Sequence, residues 1–143
     1  MTNILIVEDN AVLRGLLREW LSTEHPECRV LEAASGEEAL QRACAVPISL
    51  AVMDIGLPGM SGIEAARVLI SRHPGLRIVI LSIHEEERYQ QEAGAAGVHA
   101  YVPKRKLQEQ LLPAVREQLA AIKIEAPKTE RKRSSEGEQG AVS

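Results

Sequence analysis

The 143-residue sequence has no Phe, one Trp and two Tyr, so aromatic residues make up only 2% of it. A core assembled without them must be aliphatic, drawn from Leu, Ile, Val and Ala, which suits a buried parallel sheet covered by helices. Long apolar runs are missing too. Nothing approaches the roughly 18 residues of a membrane span, and no secretory leader is expected, because Asn3 is followed at once by a strand-like run. Cysteine is scarce: Cys28 and Cys44 lack metal-ligand spacing and read as reduced thiols, so a cytoplasmic location is expected. Charge of one sign is lacking as well. With 20 acidic against 17 basic residues, the net charge of -3 argues neither for nor against a polyanionic partner.

What the chain does have is four apolar runs that each end on a polar residue. Ile4-Leu5-Ile6-Val7 leads into Glu8-Asp9, and Leu50-Ala51-Val52-Met53 into Asp54. Ile78-Val79-Ile80-Leu81 leads into Ser82, and Tyr101-Val102-Pro103 into Lys104. Strand-like runs at 4–9, 28–34, 49–54, 77–82 and 100–103 alternate with helix-like segments. Asn10, Ser35 and Ser61 stand where N-caps belong, and Glu38 follows Ser35 at capping-box spacing. A polar fourth helix is expected over about 85–95, opened by Glu85-Glu86-Glu87. A fifth is expected over about 106–122, with Leu107, Leu111, Val115 and Leu119 on one face and Pro113 inside it. The pattern predicts an α/β fold: a (βα)5 doubly wound, five-stranded parallel sheet in a three-layer, flavodoxin-like sandwich. One domain is expected over 1–122, followed by a polar tail or linker over 123–143 with little to bury.

In open parallel sheets, ligands bind at the carboxyl edge of the strands. The expected fold therefore brings Glu8, Asp9, Asp54, Ser82 and Lys104 toward one point. Taken alone, Asp9 or Asn10 serves equally well as a helix cap, and a Ser or Lys at a strand end is often simply solvated. Together, the three carboxylates repel one another unless a cation joins them. Mg²⁺ favours one or two carboxylates with water and phosphate oxygens. After Asp54, the loop through Gly56, Pro58, Gly59 and Gly62 is suited to hold a backbone carbonyl, that of Gly56, near such an ion. The Lys104 ammonium and Ser82 hydroxyl suit two oxygens of an acyl phosphate. Phosphoryl transfer asks mainly for positioning and charge neutralisation, which these residue types supply.

With these motifs in place, the sequence resembles a response-regulator receiver domain of the CheY-like kind. The matching segments are Ile6-Val7-Glu8-Asp9 and Met53-Asp54-Ile55-Gly56-Leu57-Pro58-Gly59-Met60-Ser61-Gly62. Val79-Ile80-Leu81-Ser82 and Ala96-Gly97-Val98-His99-Ala100-Tyr101-Val102-Pro103-Lys104 complete the set. The Leu57–Gly62 segment and the Tyr101/Lys104 spacing are similar to the NarL/LuxR-type subfamily. The resemblance implies that Asp54 is the phospho-acceptor, that Glu8 and Asp9 bind Mg²⁺, and that Lys104 pairs with the phosphoryl group. It implies a switch pair of Ser82 and Tyr101, a donor on a sensor histidine kinase or phosphotransfer protein, and a homodimer on phosphorylation. It implies a phospho-acceptor signalling domain with its own phosphotransfer and autodephosphorylation chemistry, not an enzyme.

The chain departs from that pattern in three places. Arg105 rather than Pro follows Lys104, bulky Ile83 follows Ser82, and Pro113 interrupts the expected fifth helix. No DNA-reading module is legible, so no contact with DNA or membrane is expected from this chain itself, and output runs through a further domain or through protein contacts. A dehalogenase-like hydrolase would need an acid two residues after the nucleophile, where Gly56 stands. A flavodoxin-like cofactor binder would find its phosphate repelled by Glu8-Asp9. The remaining alternative is a receiver-like interaction module that works without phosphorylation.

Overall fold

The computed structural model describes the backbone of residues 1–136 and the side chains of residues 1–122. Strands and helices alternate as β1 (Asn3–Val7), α1 (Ala11–Glu24), β2 (Arg29–Ala33), α2 (Gly36–Ala45) and β3 (Leu50–Asp54). They continue as α3 (Gly62–Arg72), β4 (Arg77–Ser82), α4 (Glu87–Ala96), β5 (Ala100–Pro103), one 3-10 turn (Lys104–Lys106) and α5 (Leu107–Glu136). All strand pairs are parallel, in the order β2-β1-β3-β4-β5. Strand order reverses between β1 and β3, so the crevice at their carboxyl ends is the switch point at which such sheets bind ligands.

The side-chain alternation of the strands divides the core in two. Leu5, Val7, Ala51, Met53, Ile78 and Ile80 face α2, α3 and α4. Ile4, Ile6, Leu50, Val52, Val79 and Leu81 face α1 and α5, where Leu17, Leu21, Leu107, Leu111, Val115 and Leu119 meet them. The three inner strands β1, β3 and β4 are buried on both faces, which explains why they read as continuous apolar runs.

Local chemistry sets most helix starts. The side chains of Asn10, Ser35 and Ser61 accept the N–H of Leu13, Glu38 and Glu64, respectively. The capping box at α2 is shifted by one residue: Glu38 accepts from Ala34 N–H at 2.8 Å rather than from Ser35. α4 starts later than its acid run suggests. Only Glu87 lies in its first turn, Glu86 caps without a side-chain bond, and Glu85 is drawn to Arg105 at 2.5 Å. Gly97 ends α4 with φ +96°, a left-handed conformation that glycine adopts without a Cβ clash. α5 continues past exposed Pro113 to Glu136, so the boundary expected at 122 falls within its backbone. Residues 137–143 of the expected tail lie outside the described residues. No helix among the described residues is long and apolar enough to cross a membrane.

Candidate phosphoryl and cation site

β1 ends at Val7, Glu8 and Asp9 follow with the Glu8 N–H still bonded to the Ala33 carbonyl, and Asn10 caps α1. Glu8 is buried, Asp9 exposed. Two strands away from the edge, Asp54 closes β3 and is also buried. Each of the three acids offers a carboxylate oxygen, and these oxygens lie within 4.8 Å of one another. Lys104, carried past the end of β5 on the 3-10 turn, reaches back across the crevice. Its Nζ stands 3.1 Å from Glu8 Oε1 and 3.3 Å from Asp54 Oδ2. The remaining Glu8 oxygen accepts the Asn10 N–H at 3.1 Å, while Asp54 Oδ1 accepts the Gly56 N–H at 3.2 Å.

Burial is the main force on Glu8 and raises its pKa. The Asp54 charge pushes the same way, against relief from the Asn10 N–H and from Lys104. For Lys104, burial disfavours the ammonium, but attraction to Asp54 and the bond to Glu8 outweigh it and hold its pKa above the usual lysine value. Three carboxylates, two of them buried, thus stand around one ammonium.

The set of donors is hard oxygen throughout, with no thiolate or imidazole, which selects a cation of the Mg²⁺ kind. The three oxygens lie within 4.8 Å of one another, near enough to converge on one cation. Gly62 tightens the loop beside it. A Cβ on Gly62 would stand 2.1 Å from the Asp54 carbonyl oxygen, so the start of α3 can pass this close to β3 only without a side chain.

Fully buried Ser82 accepts the His84 N–H at 2.8 Å, and Tyr101 donates its hydroxyl to the His84 carbonyl at 2.7 Å. Burial raises the Tyr101 pKa, only partly offset by the neighbouring Ser82 hydroxyl. Ser82 and Tyr101 thus hold opposite polar groups of one residue in the loop between β4 and α4. Two further contacts hold that loop, the Arg105–Glu85 pair and a His84–Tyr89 ring stack at 4.4 Å, while Arg88 lies over Tyr89 at 4.7 Å within α4. Ile83 stands beside Ser82 and is 73% exposed.

The structure brings together Glu8, Asp9, Asp54 and Lys104 directly, with Gly56 bonded to Asp54, and places Ser82 at the end of β4 and Tyr101 in β5, both bonded to His84 of the adjoining loop. Two residues were not singled out from the sequence. His84 takes part through its backbone, and Arg14 reaches the Glu8 carbonyl from α1. The long-range partners leave no local signal: Tyr101 is 17 positions from His84, and Glu32, which holds the Arg14 guanidinium, is 18 positions from Arg14.

The family described as "Response regulator receiver domain" matches residues 4–116. The transcriptional activator protein ExaE of Pseudomonas putida is 38% identical over 117 residues, 82% of this chain and 55% of that protein. Response regulator GacA of Pseudomonas viridiflava is 29% identical over 116 residues, covering 81% of this chain and 54% of that protein. The chain thus spans little more than half the length of these curated relatives. Among solved structures, a LuxR-family two-component response regulator from Aurantimonas sp. SI85-9A1 superposes with a TM-score of 0.78 at 31% identity, over 85% of this chain and 87% of that one. The response regulator TrrA from Thermotoga maritima, in complex with Mg(2+)-BeF, gives 0.73 at 30% identity, over 82% of this chain and 99% of that one.

Proposed function

We propose, on the premise that this chain belongs to the response regulator receiver domain family, that it is a phosphorylation switch in which Asp54 accepts the phosphoryl group. The domain is that of a two-component response regulator, a signalling module rather than a classical enzyme. The observation that carries the proposal is the Lys104 ammonium bridging buried Glu8 and Asp54 inside a cluster of three carboxylates at the sheet's switch point.

Glu8, Asp9, Asp54 and the Gly56 carbonyl would hold Mg²⁺, which when bound neutralises charge on the phosphoryl oxygens. An Asp54 oxygen attacks the phosphorus of a phosphohistidine on a sensor kinase or phosphotransfer protein. The P–N bond breaks as the P–O bond forms, and the imidazole nitrogen departs to pick up a proton. Lys104 leaves its carboxylate partners for a phosphoryl oxygen, a charge-assisted bond it already has the reach to make. Autodephosphorylation would follow by attack of water at phosphorus, which breaks the P–O bond to Asp54, releases inorganic phosphate and restores the carboxylate.

The new charge also competes for Ser82. Its hydroxyl accepts from His84 and can turn its own proton from the neighbouring Tyr101 to a phosphoryl oxygen. His84 is shared with Tyr101, so movement at one hydrogen bond is felt at the other, and the face built from α4, β5 and α5 changes with it. That face would carry the output, by homodimerisation, by a partner protein or through a DNA-binding domain of the kind implied by the relatives' transcriptional names.

The test is intact-mass spectrometry after incubation with acetyl phosphate and Mg²⁺. Wild type is expected to gain about 80 Da, one phosphoryl group, and Asp54→Ala to gain nothing. Absence of the gain in wild type would favour the phosphorylation-independent interaction module, for which Asp54→Asn should leave partner binding unchanged.

A further inference from the structure

Arg14 lies one turn beyond the Asn10 cap, and its side chain is only 20% exposed. Its Nε donates to Glu32 Oε1 on β2 at 2.9 Å, and its Nη1 donates to the Glu8 carbonyl at 2.8 Å. The Glu8 N–H, for its part, donates to the carbonyl of Ala33, the last residue of β2, at 3.0 Å. Both backbone groups of Glu8 are therefore tied to one strand, the N–H directly and the carbonyl through a guanidinium anchored on Glu32. The carbonyl belongs to the peptide that joins Glu8 to Asp9. Holding it fixes the direction in which the two consecutive acids leave β1.

We propose that Arg14 is a positioning residue of the acidic cluster: by clamping the Glu8–Asp9 peptide to β2, it sets the cluster's affinity for a divalent cation. This rests on reading Glu8, Asp9 and Asp54 as that cation's site. The guanidinium is suited to the task because its planar, divergent donors hold a carboxylate and a carbonyl at once, whereas a lysine ammonium at the same position would reach one of them. The role is distinct from charge. A cation beside a cation site repels the ion, so deleting Arg14 would by Coulomb's law tighten metal binding. Loss of positioning acts in the opposite sense, and removing an outer-shell support of a metal site weakens binding about 10-fold or more.

Isothermal titration of Mg²⁺ into the full chain decides between them, with four proteins compared: wild type, Arg14→Ala, Arg14→Lys and Arg18→Ala. Arg18 is a matched control. It also pairs with Glu32, at 3.3 Å, but from a side chain 59% exposed and without a bond to Glu8. Arg14→Ala is expected to weaken Mg²⁺ binding about 10-fold. Arg14→Lys keeps the charge and loses one of the two bonds, so it should fall between Arg14→Ala and wild type. Arg18→Ala should stay at the wild-type value or bind slightly tighter. Equal or tighter binding by Arg14→Ala overturns the proposal, as does a loss of the same size in Arg18→Ala. Should Arg14→Ala fail to fold, Arg14→Lys decides alone, wild-type affinity there refuting the positioning role. A wild type that takes up no Mg²⁺ would refute the site itself, before any variant is compared.

Discussion

Gly56, in the loop after β3, and Gly62, the first residue of α3, stand six residues apart, yet a methyl group would meet different surroundings at each. At Gly62 it would overlap the Asp54 carbonyl oxygen at 2.1 Å and the Ile55 Cα at 2.7 Å, whereas at Gly56 nothing lies within 4 Å. Gly62→Ala is therefore expected to cost about 3 kcal/mol in denaturant unfolding, and Gly56→Ala less than about 1 kcal/mol; similar costs for the two would contradict the close approach. Glu8 stores energy of another kind. Its folded pKa lies above the unfolded value of 4.5, so the native state keeps the proton to higher pH than the unfolded chain. Ionised Glu8 thus destabilises the metal-free fold at neutral pH, and the penalty fades as pH falls through the raised value toward 4.5. Glu8→Gln should raise metal-free stability at pH 7 by about 1 kcal/mol, with the advantage shrinking in thermal melts taken at lower pH. A gap that widened on acidification would refute the assignment.

Between elements, caps and loop ties carry the argument. Ser61 accepts the Glu64 N–H at the start of α3, whereas Glu86 makes no side-chain cap bond at the start of α4. Ser61→Ala should cost about 1 kcal/mol. Glu86→Ala should change stability by less than about 0.5 kcal/mol, its 4.0 Å approach to His84 being an exposed pair. The loop between β4 and α4 is held instead by Tyr101. Tyr101→Phe removes the donor to the His84 carbonyl, with an expected loss of about 1 kcal/mol. Amide hydrogen exchange should speed up across 83–86 and remain as it was in β1. Unchanged exchange in the loop would mean that the hydroxyl does not restrain it.

Across the whole molecule, one sheet is shared by two cores. Leu69 of α3 and Leu111 of α5 are both fully buried, on opposite faces of that sheet. Because neighbouring residues of each strand serve different faces, neither core can dissolve while the other keeps its strands. Leu69→Ala and Leu111→Ala should each cost about 3 kcal/mol, and each should move a single unfolding transition that fluorescence and circular dichroism report together. Two separate transitions would show that the faces unfold independently.

Much of this molecule was determined by sequence alone, wherever a property depends on neighbours a few residues away. Asn10, Ser35 and Ser61 announce their helices because a cap bond spans three residues, and Asp54 and Ser82 mark strand ends because each closes an apolar run. The alternation of strand and helix dictates a parallel sheet, and with it one edge for Glu8, Asp9, Asp54, Ser82 and Lys104. Tertiary structure alone decided the contacts that join distant segments. Lys104 meets Glu8 across 96 positions, Arg14 links Glu32 to the Glu8 carbonyl, and Tyr101 bonds a backbone oxygen that every residue type possesses. The late start of α4 is of this kind, since Glu85 reads as a helix-opening acid until Arg105 is beside it. Local pattern encodes which hydrogen bonds a segment makes with itself; partners brought together by the crossing of strands and helices leave no period or spacing in the chain.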